Sequence, residues 1–263
     1  MVGARGFVGN RLTARLQALG REVFAPPKGD PALLRRDLGV VFYCAGLTAD
    51  YEARPFDTVE AHVALLGEIA RAGRFEKLVY LSSTRLYDGQ SAGSGDETAR
   101  LALDPANPRH TYDLSKALGE NITLTRTDGR GSVGRLANVY DWQDGAPGFL
   151  SEWLIRARAE RRLTLASSPH IARDYIHLDD VVEALLSMAR GPSPGIVNVA
   201  SGELVTNDEI GKVMAELGWQ VSFSGDAAPP PPPRAEISRL IALGVTPAPV
   251  KDVVRRYLSG VKA

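Results

Sequence analysis

Three evenly spaced glycines at the start of the chain, Gly3, Gly6 and Gly9, constrain its fold more than any other feature. They run directly into residues 10–20, where apolar side chains recur with helical spacing and Gly20 supplies a stop. Glycine lets the backbone approach a pyrophosphate, whose charge is favoured at the positive end of the following helix. The spacing therefore predicts a dinucleotide-binding turn that opens a helix.

Short apolar strands alternate with amphipathic helices along most of the chain. We predict strands at 22–25, 40–45, 77–81, 132–137, 163–165 and 195–199, and helices at 59–72, 111–125, 149–159, 179–189 and 207–217. The strand at 40–45 is continuously apolar, which is typical of a parallel strand covered on both faces. The alternation indicates an α/β fold with a doubly wound parallel Rossmann sheet.

The domain organisation follows from where this alternation loosens, after Asn138. We expect a dinucleotide-binding domain at 1–138, to which 174–200 returns. A small C-terminal lobe that binds substrate is expected from 139–173 and 201–263.

Two strands of the usual sheet are short or missing. Only Met1 and Val2 precede the glycine turn, whereas a typical strand has about five or six residues. We expect that the true start lies upstream, the alternative being a fold that accommodates a truncated first strand. The third strand has no counterpart, because residues 29–39 are too few for a helix, a strand and a helix.

Ser83 follows an apolar strand, and Tyr112 and Lys116 lie four residues apart on the next predicted helix. The phenol and the ammonium therefore share one helix face. We expect Lys116 to lower the pKa of Tyr112, since a neighbouring cation favours the phenolate. Such a tyrosine exchanges a proton with a carbonyl or an alcohol, and Ser83 adds a hydrogen bond to the same oxygen. The set predicts the proton-transfer half of a hydride-transfer reaction.

Composition excludes several kinds of partner. Lys and Arg number 31 and Asp and Glu also 31, so there is no basic excess for a nucleic acid. The single Cys44 lies in an apolar strand, which indicates a buried small side chain and a reducing compartment. No stretch is apolar and long enough to span a bilayer, and no signal peptide is evident. We expect a cytoplasmic protein with no membrane partner and no metal.

The residues near the turn bear on which cofactor binds. NAD-binding folds place an acidic residue at the end of the second strand, where this chain has Pro26, Pro27 and Lys28. Arg5 lies inside the turn itself. Two cations and no acid favour the 2′-phosphate of NADP over NAD, the alternative being that both cations are merely solvated.

These motifs resemble the extended short-chain dehydrogenase/reductases, the NAD(P)-dependent epimerase/dehydratase family that acts mostly on nucleotide sugars. The resemblance covers nearly the whole chain and is carried by 3–9, 40–46, 81–87, 112–116, 135–140 and 173–180. It implies that Ser83, Tyr112 and Lys116 are the catalytic set. It also implies cofactor contacts from Gly3, Arg5, Gly6, Phe7, Val8, Gly9, Lys28, Ala45, Gly46, Tyr112 and Lys116.

The resemblance further implies substrate contacts from Thr84, Asn138 and Arg173, with Arg173 reaching the substrate diphosphate. A salt bridge to Asp174 or Asp179 is the other interpretation of Arg173. Family members often dimerise through helices that match 60–74 and 111–125, so a homodimer is expected. The side chains available there for a dimer contact, or for the core, are Ala61, Val63, Leu65 and Leu66.

The chain departs from the family pattern at two informative positions. Thr84 and Arg85 stand where the 4,6-dehydratases carry Asp-Glu, which argues against dehydration. His62 replaces an asparagine, and a structural role is expected for it. We expect an NAD(P)-dependent reductase or epimerase of a nucleotide-linked sugar. The alternatives are a reductase of a small non-nucleotide carbonyl and a degraded, non-catalytic NAD(P)-binding protein.

Overall fold

The computed structural model describes residues 1–48, 50–90 and 94–261. Its strands are β1 Leu38–Tyr43, β2 Phe75–Ser83, β3 Ser94–Gly95, β4 Gly131–Leu136, β5 Asn138–Tyr140, β6 Arg162–Leu165, β7 Ala172–His177, β8 Ile196–Val199, β9 Leu204–Thr206, β10 Gln220–Phe223 and β11 Arg234–Ala235. Its α-helices are α1 Phe7–Ala18, α2 Ala32–Arg35, α3 Pro55–Val59, α4 Leu65–Ala72, α5 Thr111–Thr125, α6 Phe149–Arg156, α7 Leu178–Met188, α8 Asn207–Glu216, α9 Ser238–Ala242 and α10 Val250–Ser259.

The central sheet is parallel, with the strand order β1-β2-β4-β8. On one face, Leu12 of α1 and Leu185 of α7 join a core cluster with strand residues of the sheet. On the other face, Leu66 and Ile69 of α4 pack with Tyr80 of β2. Helices on both faces of a parallel sheet confirm the predicted doubly wound class. All four strands end at one edge, so the residues that follow them converge there.

The strand predicted at 22–25 is wrong, since no strand forms there. The first strand is reduced to Val2, which makes a single parallel bridge to Tyr43 of β1. On the other side, the Met1 ammonium donates to Phe24 O at 2.7 Å. Residues 22–25 thus lie beside the first strand but lack enough partner backbone to form a ladder. Residues 26–37 contain the short helix α2 and no strand, as expected from their number.

Strand β1 and the helix predicted at 59–72 differ from their predicted form. The first half of β1 is exposed rather than buried, with Val40 at 40%, because on that side β1 is paired only at its end, by the bridge from Val2 to Tyr43. The helix predicted at 59–72 is broken into α3, a π-helical turn Glu60–Ala64 and α4. Such turns are rare and widen the helix locally, and this one carries His62.

The segment between β2 and α5 is mostly loop, with little regular structure. Its short strand β3 pairs with β11, and it ends in a 3₁₀ turn at Pro108–His110. Residues 91–93 of this segment lie outside the described part of the chain.

The C-terminal residues build a second core of their own. Helices α6, α8 and α10 pack together with Trp219 over the two-stranded sheet β6-β10 and the three-stranded sheet β5-β7-β9, and α6 contributes Trp153 and Leu154. Helix α8 is capped by Thr206 in a reciprocal capping box with Glu209. The division of the chain into two domains remains a prediction, since residues 235–245 pack against the sheet core.

Arg11 of α1 joins the two cores. Its guanidinium contacts Asp141, which follows β5, at 2.5 Å and also contacts Asp179 of α7. Within the described ranges, none of the helices has the length and apolar character needed to cross a membrane.

Candidate active site

The glycine turn is tightly packed. A Cβ on Gly3 would lie 2.6 Å from Ala45 N, and Gly3 has a φ of +79°, which only glycine adopts readily. A Cβ on Gly9 would lie 2.2 Å from Gly3 O. Two of the glycines therefore hold α1 against the turn and the end of β1. A Cβ on Gly6 would meet only Gly3 O, at 3.3 Å, and Gly6 is exposed. The solvent-facing side of the turn at Gly6 is therefore open.

Helix α1 begins directly after this open glycine. Its N-cap is Gly6, which has no side chain to cap the first N–H groups of the helix. These donors and the helix dipole favour an anion. The predicted turn residues therefore fit the pyrophosphate of a dinucleotide, with Phe7 and Val8 half-buried at the helix start and Arg5 exposed beside them.

Tyr112 and Lys116 lie on α5, whose observed bounds match the predicted helix 111–125. Both side chains are buried, at 5% and 4% exposure. Lys116 Nζ donates to Leu81 O in β2 at 2.8 Å and lies 5.9 Å from the Tyr112 ring centroid. Ser83, the last residue of β2, lies close enough to the Tyr112 phenol to oppose the rise that burial causes in its pKa. The structure therefore brings the three predicted catalytic residues together at the carboxyl edge of the sheet.

The ionisation of these groups differs from the sequence expectation. Burial raises the pKa of Tyr112 to about 12, against nearby Ser83 and the positive charge of Arg85, which lower it. Burial also lowers the pKa of Lys116 to about 7, although Glu120 and Cys44 act in the opposite direction. Lys116 is therefore only partly charged at neutral pH.

His62 has a structural place beside this set, as expected. Its Nδ1 lies 2.8 Å from Ser115 Oγ, which in turn donates to Tyr112 O. Burial, followed by the charge of Lys116, lowers the pKa of His62 to about 3, so the ring is neutral. It meets the Tyr112 ring edge-on at 5.2 Å between centroids.

Gly46 fills the space between His62 and Lys116. A Cβ there would lie 3.0 Å from His62 Nε2 and 3.4 Å from Lys116 Nζ. The predicted cofactor contact at Ala45 and Gly46 thus lies next to the predicted ribose contact at Lys116. Because residue 46, just after β1, is a glycine, only its backbone lies next to the Lys116 ammonium.

Sequence reasoning missed a stack of three side chains around Tyr112. The guanidinium carbon of Arg85 lies 4.6 Å from the Tyr51 ring centroid and 5.1 Å from that of Tyr112. Arg85 Nη2 donates to Tyr51 Oη at 2.8 Å, and Nε lies 3.3 Å from the Asp113 carboxylate. Tyr51 is buried, in a loop that no periodic pattern marks. Arg85 was visible in the sequence only as a departure from the family pattern.

The predicted substrate residues form a separate group. Asn138 Nδ2 donates to Asp174 O at 2.9 Å, and Thr84 Oγ1 donates to Leu136 O at 3.3 Å. Arg173 lies 4.9 Å over the Phe149 ring. Its buried Nη1 makes no hydrogen bond of standard geometry, although the guanidinium lies close enough to the Tyr175 phenol to oppose the rise that burial causes in the pKa of that phenol. The salt-bridge interpretation of Arg173 is not supported within the described residues, where neither Asp174 nor Asp179 pairs with it.

The remaining predicted cofactor residue, Lys28, lies away from this cluster. Its ammonium is 3.1 Å from the Glu60 carboxylate, and both side chains are exposed. An exposed pair of this kind contributes little and exchanges partners readily. No cluster of three or more His, Cys, Asp or Glu side chains suited to a metal is found within 1–48, 50–90 and 94–261.

Relatives of the chain have names that describe enzymes of nucleotide-linked sugars. It is 23% identical to UDP-glucuronic acid decarboxylase 2 of Arabidopsis thaliana over 252 residues, covering 82% of this chain and 56% of the relative. The chain therefore spans just over half of that relative's length. It is 27% identical to the dTDP-6-deoxy-L-talose 4-dehydrogenase (NAD(P)(+)) of Kitasatospora kifunensis, covering 82% of this chain and 77% of the relative.

The fold matches solved structures over nearly its whole length. MoeE5 in complex with UDP-glucuronic acid and NAD superposes with a TM-score of 0.79 at 24% identity, covering 98% of this chain and 96% of that chain. This likeness shows the fold. A model of the NAD dependent epimerase/dehydratase family matches residues 1–200. Since that match spans well over half of the sequence, the chain belongs to the NAD dependent epimerase/dehydratase family.

Proposed function

We propose that this protein is an NAD(P)-dependent reductase or epimerase of a nucleotide-linked sugar. One observation carries the proposal: Ser83, Tyr112 and Lys116 meet at the carboxyl edge of the sheet, next to Gly46. A protein that only bound the cofactor would have no need for a buried phenol next to a serine and a buried lysine. The relatives that act on nucleotide sugars favour this substrate class over a small carbonyl compound.

Tyr112 is the proposed acid and base. In reduction, its Oη donates a proton to the carbonyl oxygen of the sugar. In oxidation, the phenolate accepts the proton of the sugar hydroxyl. Ser83 Oγ donates to the same sugar oxygen and orients it. The nicotinamide, when bound, supplies or accepts the hydride at the carbon that carries this oxygen.

Lys116 is the proposed link between the tyrosine and the cofactor. Its ammonium is anchored by Leu81 O and lies beside Gly46, where a Cβ would come within 3.4 Å of Nζ. There it can hold the nicotinamide ribose hydroxyls. Because burial lowers its pKa to about 7, hydroxyl groups that accept from the ammonium would favour its charged form.

Dehydration and decarboxylation are the main competing reactions, since decarboxylases and a dehydratase are among the relatives. Water loss next to a carbonyl requires a base, and Arg85 occupies the position where the dehydratases place one. A guanidinium stays protonated in proteins and accepts no proton. We therefore propose that the protein does not remove water from the sugar. That the carbon skeleton also stays intact is part of the proposal of a reductase or epimerase.

We propose that Arg173 binds the substrate diphosphate. Its buried Nη1, which makes no hydrogen bond of standard geometry, supports this role, because such a donor is costly without an acceptor. Arg173→Ala is expected to raise the KM for UDP-glucose by about tenfold or more, since charge-assisted hydrogen bonds contribute roughly 1.5–3 kcal/mol. An unchanged KM in steady-state assays would favour a small carbonyl substrate instead.

We propose NADP as the preferred cofactor, held by Arg5 and Lys28. The pair between Lys28 and Glu60 is exposed, so Lys28 is able to turn to a 2′-phosphate. In a titration followed by nicotinamide fluorescence, the protein should bind NADPH more tightly than NADH. The Lys28→Gln, Arg5→Gln double variant should lose that difference by weakening NADPH alone. Equal affinity of the unchanged protein for both cofactors would contradict the proposal.

We propose a homodimer formed through α3 and α5. Phe56 and Leu118 are exposed on these neighbouring helices, at 88% and 49%, whereas Leu66 lies in the core and serves no interface. Leu118→Glu is expected to yield monomers in sedimentation velocity. Leu19→Glu is the matched control, because Leu19 is equally exposed, at 47%, at the end of α1. A monomeric unchanged protein would contradict this proposal.

A further inference from the structure

Arg85 is held in a fixed position against Tyr112. Its guanidinium carbon lies 4.6 Å from the Tyr51 ring centroid and 5.1 Å from that of Tyr112, and the two centroids are 5.3 Å apart, so the three groups contact one another. Tyr51 Oη accepts from the guanidinium and the Asp113 carboxylate pairs with it. The 3₁₀ turn Thr84–Tyr87 that carries it begins at Ser83, whose Oγ accepts from Arg85 N at 3.2 Å. The same short segment therefore places both the serine and the arginine at the tyrosine.

We propose that Arg85 is a positioning residue whose fixed positive charge stabilises the Tyr112 phenolate. The inference rests on the proposed function of Tyr112 as the proton acceptor. It assigns to this chain a cation that acts on the tyrosine in addition to Lys116.

Geometry favours Arg85 over Lys116 as the cation nearest the phenol ring. The guanidinium carbon is 5.1 Å from the ring centroid, whereas Lys116 Nζ is 5.9 Å away and is directed to Leu81 O. Arg85 is also charged at every working pH, because a guanidinium does not lose its proton in proteins. Burial lowers the pKa of Lys116 to about 7, so its charge is partial.

Among the groups packed around Tyr112, three carry a charge that acts on its phenol: Arg85, Asp113 and Lys116. The π-helical turn contributes His62, which is neutral because its pKa is lowered to about 3. The loop contributes Tyr51 and the end of β2 contributes Ser83, both uncharged. Helix α5 contributes Asp113 and Lys116, and the charged groups next to Arg85 are Asp88 and Arg109. Arg85 and Asp113 thus act on the phenol with opposite sign.

The test is the pH dependence of kcat for oxidation of UDP-glucose or UDP-glucuronic acid with NAD or NADP. Oxidation requires the phenolate, so the rate rises with pH through the apparent pKa of Tyr112 in the complex, where the positive charge of the oxidised nicotinamide would lower it from the raised value of the free protein. Arg85→Gln should move this rise to higher pH by about one unit, since a charge within ~4–6 Å shifts a pKa by one unit or more. Arg85→Lys keeps the positive charge, so its rate should rise at nearly the same pH as that of the unchanged protein. Asp113→Asn should move the rise to lower pH.

Arg85→Gln and Asp113→Asn are expected to move the pH at which kcat rises in opposite directions, which distinguishes an electrostatic role of Arg85 from a structural one. A residue needed only for packing would lower kcat at every pH and leave the position of the rise unchanged. That result, or movement of both variants in the same direction, would overturn the proposal. Thermal unfolding of each variant confirms that the comparison is made on folded protein.

A second measurement needs no turnover. In protein labelled with 3-fluorotyrosine, the ¹⁹F resonance of position 112 is assigned by its loss in Tyr112→Phe. Its titration should begin at higher pH in Arg85→Gln and at lower pH in Asp113→Asn. If the unchanged protein oxidises none of the sugars, the proposed function fails. An unmoved ¹⁹F titration in Arg85→Gln overturns the role of Arg85 independently.

Discussion

Replacing Tyr112 with phenylalanine is expected to reduce nucleotide-sugar turnover by about 10²–10⁴-fold, the usual contribution of a positioned acid or base. The substitution removes one oxygen from a side chain that is 5% exposed and keeps the ring against His62 and Arg85. Cofactor affinity and melting temperature should therefore change little. Steady-state kinetics, cofactor titration and thermal unfolding on the same preparation measure all three quantities.

The control for this variant is Tyr257→Phe. Tyr257 stacks on Trp142 in the C-terminal core at 4.5 Å between centroids, away from Ser83 and Lys116. Loss of its hydroxyl should leave kcat unchanged. Turnover by Tyr112→Phe within a factor of about three of the unchanged protein would rule out the proposed acid and base, since even weak proton-transfer catalysis exceeds that factor.

The second large effect is expected for Gly9→Ala. A Cβ at this position would lie 2.2 Å from Gly3 O and 2.9 Å from Gly3 C, and backbone atoms do not yield as a flexible side chain would. Helix α1 must move away from the turn, which should destabilise the protein by about 1–3 kcal/mol. We expect the melting temperature to fall by roughly 2–12 °C.

The same displacement should weaken cofactor binding by at least about tenfold, because the first N–H groups of α1 no longer point at the pyrophosphate. Gly67→Ala is the matched control. Gly67 also lies within a helix, α4, but a Cβ there meets nothing within 4 Å. Alanine should stabilise that helix by up to about 1 kcal/mol. Normal cofactor affinity in Gly9→Ala would show that the turn does not hold the dinucleotide.

The sheet and the helix that carries the tyrosine could be predicted from the sequence because local patterns determine them. Apolar runs and helical periodicity located β2, β4 and α5, and the four-residue spacing placed Tyr112 and Lys116 on one face.

The parts that the sequence did not yield depend on contacts between distant segments. Residues 22–25 have strand-like composition but form no strand, because strand formation needs a partner and the first strand is only a stub. The contact between Tyr51 and Arg85 joins positions 34 residues apart, with no periodicity to announce it. The raised pKa of Tyr112 likewise results from burial, which the Tyr-x-x-x-Lys spacing does not report.

The most direct test of the central claim is product analysis by mass spectrometry. The purified protein is incubated with UDP-glucose or UDP-glucuronic acid in the presence of NAD or NADP. In a separate reaction it is incubated with a dTDP-4-keto-6-deoxyhexose in the presence of NADPH. The account predicts that at least one of these sugars becomes an epimer, an oxidised sugar or a reduced sugar, and that Tyr112→Phe does not catalyse the change. A product that has lost water or carbon dioxide would contradict the proposed reaction. A folded, cofactor-bound protein that changes no nucleotide sugar would contradict the proposed substrate class.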